Sequence, residues 1–417
     1  MYVKQTNFYF KLLITAVLLV SVSLLHAQES DTLRLNQLED RMKNLEKSPI
    51  KFSGYFQSQW QYGQEDASLK VGAPNTDTAD FNRFGIRRGR VKLSYEKEFL
   101  SGVFQIDLTE KGLGIKDAYI QLKAPQIGES FLRAGLFNRP FGQEIEYSSS
   151  SRESPERSAV FQTLFPEERD LGMMLTLRAN KTSAWHFLKL DAGLFAGNGI
   201  KSDIKNQKDF IGHLSANHQI NPELSVKGGV SYYLGSVFQG TEKVYKMENQ
   251  TFVPDENPNN KGGFAKREYV GLDVKLTAAL PFGKTTLTSE YLFGTQPGTE
   301  SGSKSPNSAT ISSTDTFIRE FQGGYVMLTQ NIADSPVAAV LKYDWYDPNT
   351  AVSGNEIGVN NTGKADLASQ TFGAGLLWEM RNNVRLSAYY DFVKNEKTDH
   401  LIGFEKDKKD NVFTTTV

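Results

Sequence analysis

Cysteine is absent from all 417 residues, which rules out disulfides, thiol nucleophiles, thiolate metal centres and a lipid anchor attached to a cysteine. Histidine is nearly as scarce. His26, His186, His213, His218 and His400 show no HExxH or comparable ligand spacing, so the sequence announces no metal centre and calls for no cofactor. Net charge is missing too: 47 basic residues meet 48 acidic ones, and a chain so balanced lacks the basic excess that nucleic-acid binding requires. Beyond the amino terminus there is no long apolar run, and hydrophobic residues make up only 39% of the chain. A bundle of membrane helices is therefore excluded. Nor do the serines, aspartates and histidines fall into a spacing that would join acid, base and nucleophile, so an enzyme is not expected.

What the chain does contain is alternation. Roughly sixteen short runs of period two fill Lys51 to Val417, the signature of strands with one apolar and one polar face. In the first, Phe52, Gly54, Phe56, Ser58, Trp60 and Tyr62 oppose Lys51, Ser53, Tyr55, Gln57, Gln59 and Gln61. The split recurs at Leu224, Val226, Val230, Tyr232 and Leu234, and again at Val384, Leu386, Ala388, Tyr390 and Phe392. Between runs, short turns such as Asn221–Pro222 and Pro281–Gly283 alternate with long polar gaps such as Ser236 to Gly263 and Asp347 to Leu367. A soluble sandwich has no reason for this rhythm. A transmembrane antiparallel β-barrel of about sixteen strands does, with short periplasmic turns and long extracellular loops. Its edges must close, because unpaired N–H and C=O groups are not tolerated in hydrocarbon.

The amino terminus fits export. Lys4 and Lys11 precede an apolar stretch from Leu12 to Leu25, too short to span a bilayer and followed by His26, Ala27 and Gln28, which reads as a signal peptide over residues 1–27. Residues 28–49 read as a short helix with Leu35, Leu38, Met42 and Leu45 on one stripe. Two readings stay open for it, a periplasmic coiled-coil stub and an amphipathic tail. Residues 50–417 form the barrel. The final run, Asn411 to Val417, stops without the closing aromatic usual for outer-membrane strands, which suggests a truncated carboxyl terminus or a weak assembly signal.

Strand parity then selects the residues facing the lumen. With Val91, Leu93 and Tyr95 turned to lipid, Arg88, Arg90 and Lys92 line one strand from inside; the same parity gives Lys123, Arg133, Arg178, Lys227, Arg267 and Arg385. These cations either pass an anion along the wall or pair with carboxylates such as Glu96, Asp107 and Asp117 to stiffen it. The third long gap, Asn138 to Arg169, contains Arg139, Arg152, Arg157 and Arg169 among Glu153, Glu156, Glu167 and Glu168. A loop of this length either folds inward as a constriction or stays on the surface.

At these residues the chain resembles the phosphate-selective porin O and P family of bacterial outer membranes. The matching segments are Arg87–Arg90, Lys116–Tyr119, Leu132–Gly142 with the sequence LRAGLFNRPFG, and Arg169–Gly172. The resemblance implies a sixteen-stranded homotrimeric porin exported to the outer membrane, contacting its lipid. It also implies an inward third loop and an arginine-lined passage for phosphate or other small anions. It places Arg88, Arg90 and Arg133 on the wall, and Arg139, Arg152, Arg157 and Arg169 in or beside the constriction. A general non-selective diffusion porin and a non-channel surface binding protein are the alternatives.

Overall fold

Period two becomes strand nearly everywhere. In chain order the strands are β1 (Ile50–Gly63), β2 (Phe81–Lys97), β3 (Leu100–Thr109), β4 (Gly112–Ala124), β5 (Ser130–Asn138), β6 (Arg169–Leu177), β7 (Leu188–Phe195), β8 (Asp209–Asn221) and β9 (Leu224–Phe238). They continue as β10 (Lys243–Glu248), β11 (Thr251–Glu256), β12 (Phe264–Leu280), β13 (Gly283–Gly298), β14 (Thr316–Asn331), β15 (Val337–Asp347), β16 (Ser369–Arg381), β17 (Val384–Asn395) and β18 (Val412–Thr416). This computed structural model describes residues 48–75, 79–305, 313–381 and 383–417. The expected signal peptide, and the expected helix up to residue 47, lie outside the described residues.

Sixteen of these strands form one closed antiparallel barrel. Each pairs with its chain neighbour, β9 pairs directly with β12, and β18 pairs with both β17 and β1, where Gln59 to Gly63 meet Thr416 to Val412. Closure leaves no free edge along that register. The remaining two, β10 and β11, make a hairpin at the barrel mouth, with β10 lying parallel along β14 at Val244–Lys246. Phe252 of the hairpin is buried against Phe317, and its N–H donates to the Asn360 carbonyl at 3.0 Å. The fifth and seventh loops are thereby joined.

The outer surface is apolar in a way water would not permit. Phe84, Leu113, Ile120, Leu194, Val230, Leu272, Leu376 and Phe392 are all exposed, and on each strand their neighbours point inward. A continuous girdle of this kind far exceeds the patch a soluble monomer displays and matches the lipid face of an outer-membrane barrel. One end carries short turns, such as Pro222–Glu223 and Pro281–Phe282, while the other carries the long loops. Two connections break the rhythm: Glu110–Lys111 is a tight turn at the long-loop end, and residues 178–187 make a longer link at the short-turn end.

Candidate functional site: the third loop inside the barrel

The segment between β5 and β6 folds into the lumen. It includes one short helix, α1 (Ala159–Leu164), and its two ends are apolar: Phe141 and Ile145 on entry, Val160, Phe161, Leu164 and Phe165 on exit, every one fully or almost fully buried. They pack on aromatics that strand parity turns inward. Phe165 meets the Tyr269 ring at 5.8 Å and the Tyr233 ring at 6.1 Å, Phe141 meets Tyr269 at 6.5 Å, and Phe161 meets Tyr325 at 6.4 Å. The part of the lumen that faces β9, β12 and β14 is therefore filled by an aromatic core.

Polar contacts fix the loop's height. Glu290 of β13 accepts the backbone N–H groups of Gln143 at 2.9 Å and Glu144 at 2.6 Å, and the Tyr325 hydroxyl at 2.8 Å. Gly142 makes this approach feasible, with φ at +61° and no room for a side chain: a Cβ there would sit 2.0 Å from Glu290 Oε2. In turn Glu144 accepts from the Ser158 N–H at 3.1 Å and from Lys342 Nζ at 3.1 Å, while the Ala159 N–H donates to Asp344 at 3.1 Å. The loop is thus tied to β13 and β15 by its backbone, which side-chain patterning does not reveal.

Open space remains on the other side, along β1, β2 and β16 to β18. A void of about 260 Å³ is lined by Arg87, Arg88, Arg90 and Lys116. A second of about 250 Å³ lies against Gln61, Lys70, Asp344 and Asp391. Glu156 and Arg157 border both. Ser154 and Pro155 border the second and a third void of about 560 Å³, which holds Tyr55, Arg152 and Arg385 and extends to Phe56, Val384 and Val417, where β1 and β17 part beyond the end of β18. Near the short-turn end a separate void of about 440 Å³ is lined by Lys123, Arg178 and Lys189.

Arginines and carboxylates interlock around the first void. Arg87 forks onto Glu156 with Nε and Nη2 at 2.6 and 2.7 Å, and Arg88 Nη2 stands 3.6 Å from the same carboxylate. Arg90 is 3.5 Å from Asp107; Arg169 Nε is 3.1 Å from Asp117, and Glu168 is shared by Arg157 and Arg169. Such bidentate pairs are strong and directional. Burial alone would push the Glu156 carboxyl up, but the guanidinium groups of Arg87, Arg88 and Arg152 outweigh it and hold the group well below the usual carboxylate range. Glu168 is held low in the same way, against its own burial, by Arg157 and Arg169. Arg152 is pushed down to about 10, first by burial and then by the nearby Arg157. Its Nη1 reaches only the Pro155 carbonyl, at 3.5 Å, and its Nε and Nη2 have no partner.

The residues read from the sequence thus separate by environment. Arg88 and Arg90 face inward beside the first void, and Lys92 follows on their face opposite Gln105. Arg133 also faces inward, but it donates to Gln121 at 3.0 Å and lies among the rings of Tyr119, Phe131 and Phe137. Lys227 stands opposite Lys275. Lys123 pairs with Glu96, and Arg385 with Glu379 while also reaching the Arg152 carbonyl at 3.3 Å. Three placements differ from expectation. Arg178 lies past the end of β6, bonded to the His186 carbonyl and 3.5 Å from Glu129, because the strand stops at Leu177. Arg267 is sealed in an ion pair with Asp209 and also donates to Ser305 and the Gly197 carbonyl. Arg139, expected at the constriction, is buried beneath the loop, donating to the Glu168 and Pro166 carbonyls. Arg157 and Arg169 sit in the loop's ion-pair lattice and are largely buried, Arg157 still bordering the first two voids.

Two basic residues of the first void escape strict alternation. Phe84 points outward on β2 and so does Leu93, nine residues on, so the phase slips once between them; Arg87 and Arg88, though adjacent, both reach Glu156. On β4 the register shifts where Gln105 pairs with Asp117 and Ile106 with Ile115, so Lys116 and Asp117 both serve the interior. Glycine beside a charge run, as at Gly89, is the sequence signal for such irregularity.

No protein-family model matches the sequence, and no curated protein is significantly similar to it. Solved structures do match. OprB of Pseudomonas putida superposes with a TM-score of 0.52 at 11% identity, over 90% of this chain and 94% of that one. The outer membrane channel DcaP of Acinetobacter baumannii gives 0.50 at 14%, over 88% and 95%, and OmpT of Vibrio cholerae in its trimer form gives 0.51 at 12%, over 88% and 97%. At such identities the likeness is one of architecture, and that architecture is the sixteen-stranded barrel of the bacterial outer-membrane porins.

Proposed function

We propose that this chain is an outer-membrane porin through which small hydrophilic solutes diffuse passively, and that anions, phosphate among them, are favoured. One observation carries the charge preference. Around the first void and the loop's polar middle, the eight cations Arg87, Arg88, Arg90, Lys116, Arg152, Arg157, Arg169 and Lys304 meet the six carboxylates Asp107, Asp117, Glu153, Glu156, Glu167 and Glu168, leaving two positive charges uncompensated. Inside low-dielectric walls an imbalance of that size focuses the potential on the passage. Neutralised pairs keep individual guanidinium groups from holding an anion too tightly, as conduction demands. The non-selective alternative draws on the second void, where Asp344, Asp391 and Asp410 oppose Lys70 and Lys342. By analogy with the trimer form of OmpT the functional unit is a homotrimer.

The test is a planar-bilayer reversal potential in a potassium chloride gradient. Anion preference is expected, with partial block by added phosphate, and the Arg87→Gln, Arg88→Gln double variant should lose most of that preference while remaining heat-modifiable. A cation-favouring reversal potential in the unmodified protein would overturn the anion reading.

A further inference from the structure

We infer that Glu146, Asp191 and His213 form a site for a zinc-class divalent cation that links the third loop to the barrel wall. Asp191 of β7 and His213 of β8 are direct partners across the ladder, both almost wholly buried on the lumen side, and Glu146 comes from the loop. One ligand atom from each lies within 4.8 Å of the others. That spacing lets a single ion touch all three.

The orientation of the imidazole makes this more than an acidic cluster. His213 Nε2 is 2.9 Å from Asp273 Oδ2, and Asp273 Oδ1 accepts from Gln143 Nε2 at 2.6 Å. Carboxylate-to-histidine contacts of this kind fix the tautomer of metal-bound imidazoles: with the proton on Nε2, Nδ1 carries a lone pair. Asp273 lies on the β12 side of His213, Asp191 on the β7 side, so Nδ1 is the nitrogen left for the Asp191 side. It is buried and has no hydrogen-bond partner. Gly229 leaves the space the ring needs, since a Cβ there would sit 2.3 Å from Nε2. Thr176 Oγ1 donates to Asp191 Oδ1, fixing that carboxylate as well.

A cation already answers the two carboxylates: Lys189 Nζ is 2.7 Å from Asp191 Oδ2 and 3.6 Å from Glu146 Oε2. Its side chain is 30% exposed and can swing into the void beside Lys123, so the ammonium and the metal ion compete for one place. An imidazole with two carboxylates favours zinc and its neighbours over calcium or magnesium, and open positions would be completed by water.

Zinc titration of the detergent-solubilised, heat-modifiable full barrel, followed by calorimetry, tests the site; it does not depend on ion selectivity. Saturable binding of one ion per chain is expected. Glu146→Gln should weaken it at least tenfold, and Lys189→Gln should tighten it about as much. Cobalt should give visible absorption bands that His213→Asn abolishes. Should His213→Asn fail to fold, the Glu146→Gln and Lys189→Gln pair decides. No saturable binding even in Lys189→Gln, or binding that Glu146→Gln leaves unchanged, would overturn the site.

Discussion

Replacing Phe161 by alanine should open the channel. The Phe161 side chain is fully buried between Phe165, whose ring is 5.8 Å away, and Tyr325 on β14 at 6.4 Å. Truncating a phenylalanine so enclosed costs about 3–5 kcal/mol in apolar contact and cavity formation. The cost falls on the docked loop alone, because the barrel strands keep their ladder. At roughly 1.4 kcal/mol per factor of ten, the docked fraction of the loop should fall relative to the undocked by about a hundredfold to a few thousandfold. Single-channel recording should then show larger and noisier unitary currents, and liposome swelling should admit larger sugars than the unmodified protein does. Heat-modifiable migration must persist, to show that the barrel itself is intact. Currents and size cut-off indistinguishable from the parent would refute the idea that an apolar core holds the loop across the lumen.

Gly142→Ala places a methyl 2.0 Å from Glu290 Oε2 at a positive φ, so it should loosen the loop by about 1–3 kcal/mol and expose Arg152 and Arg157 to limited trypsin digestion, which the parent should resist. Glu156→Gln removes the carboxylate shared by Arg87 and Arg88, and the reversal potential should move further toward anions; a shift toward cations would contradict the charge ledger of the first void. Acid should act late. Because Glu156 and Glu168 are held below their ordinary value of 4.5, the stability they give the docked loop is complete above that value and is lost only as the pH falls through their depressed values. Their contribution, read as the difference in current noise between the parent and the Glu156→Gln, Glu168→Gln double variant, should be steady from neutrality down to about pH 5 and vanish well below it; a difference already lost at pH 6 would refute the assignment.

Strand alternation made the barrel legible, because the lipid face must be apolar at every second position whatever the rest of the protein does. Arg88, Arg90, Lys123, Arg133, Lys227 and Arg385 all fall on the inner face that parity assigned. What parity does not encode is what an inner residue meets. Lys227, Tyr233 and Arg267 share the inner face of β9 and β12, yet Lys227 stands opposite another lysine, Tyr233 supports Phe165, and Arg267 closes on Asp209. Those fates are set by the third loop and by ion partners far away in the chain. Arg87 and Lys116, which strict parity does not turn inward, reach the first void for a different reason, a single-residue slip that reverses the phase locally.

The loop's own composition holds the remaining signal. Its apolar residues are confined to its ends, with Phe141 and Ile145 on one side and Val160, Phe161, Leu164 and Phe165 on the other, while Ser148 to Arg157 between them is polar throughout except for Pro155. A surface loop gains nothing by collecting aromatics at both ends. A loop that must cross a wide barrel does, because its ends lie against one wall and its middle must face the passage. The aromatics supply docking energy that the ion pairs alone would not: each buried charge gives up much of its attraction to desolvation. The Arg87–Glu156 and Arg157–Glu168 pairs therefore orient the polar middle, whereas Phe161 and Phe165 decide whether the loop is docked. It follows that charge-changing variants at Glu156 or Arg87 should alter selectivity more than conductance, and variants at Phe161 or Phe165 conductance more than selectivity, a separation that one set of bilayer recordings can measure.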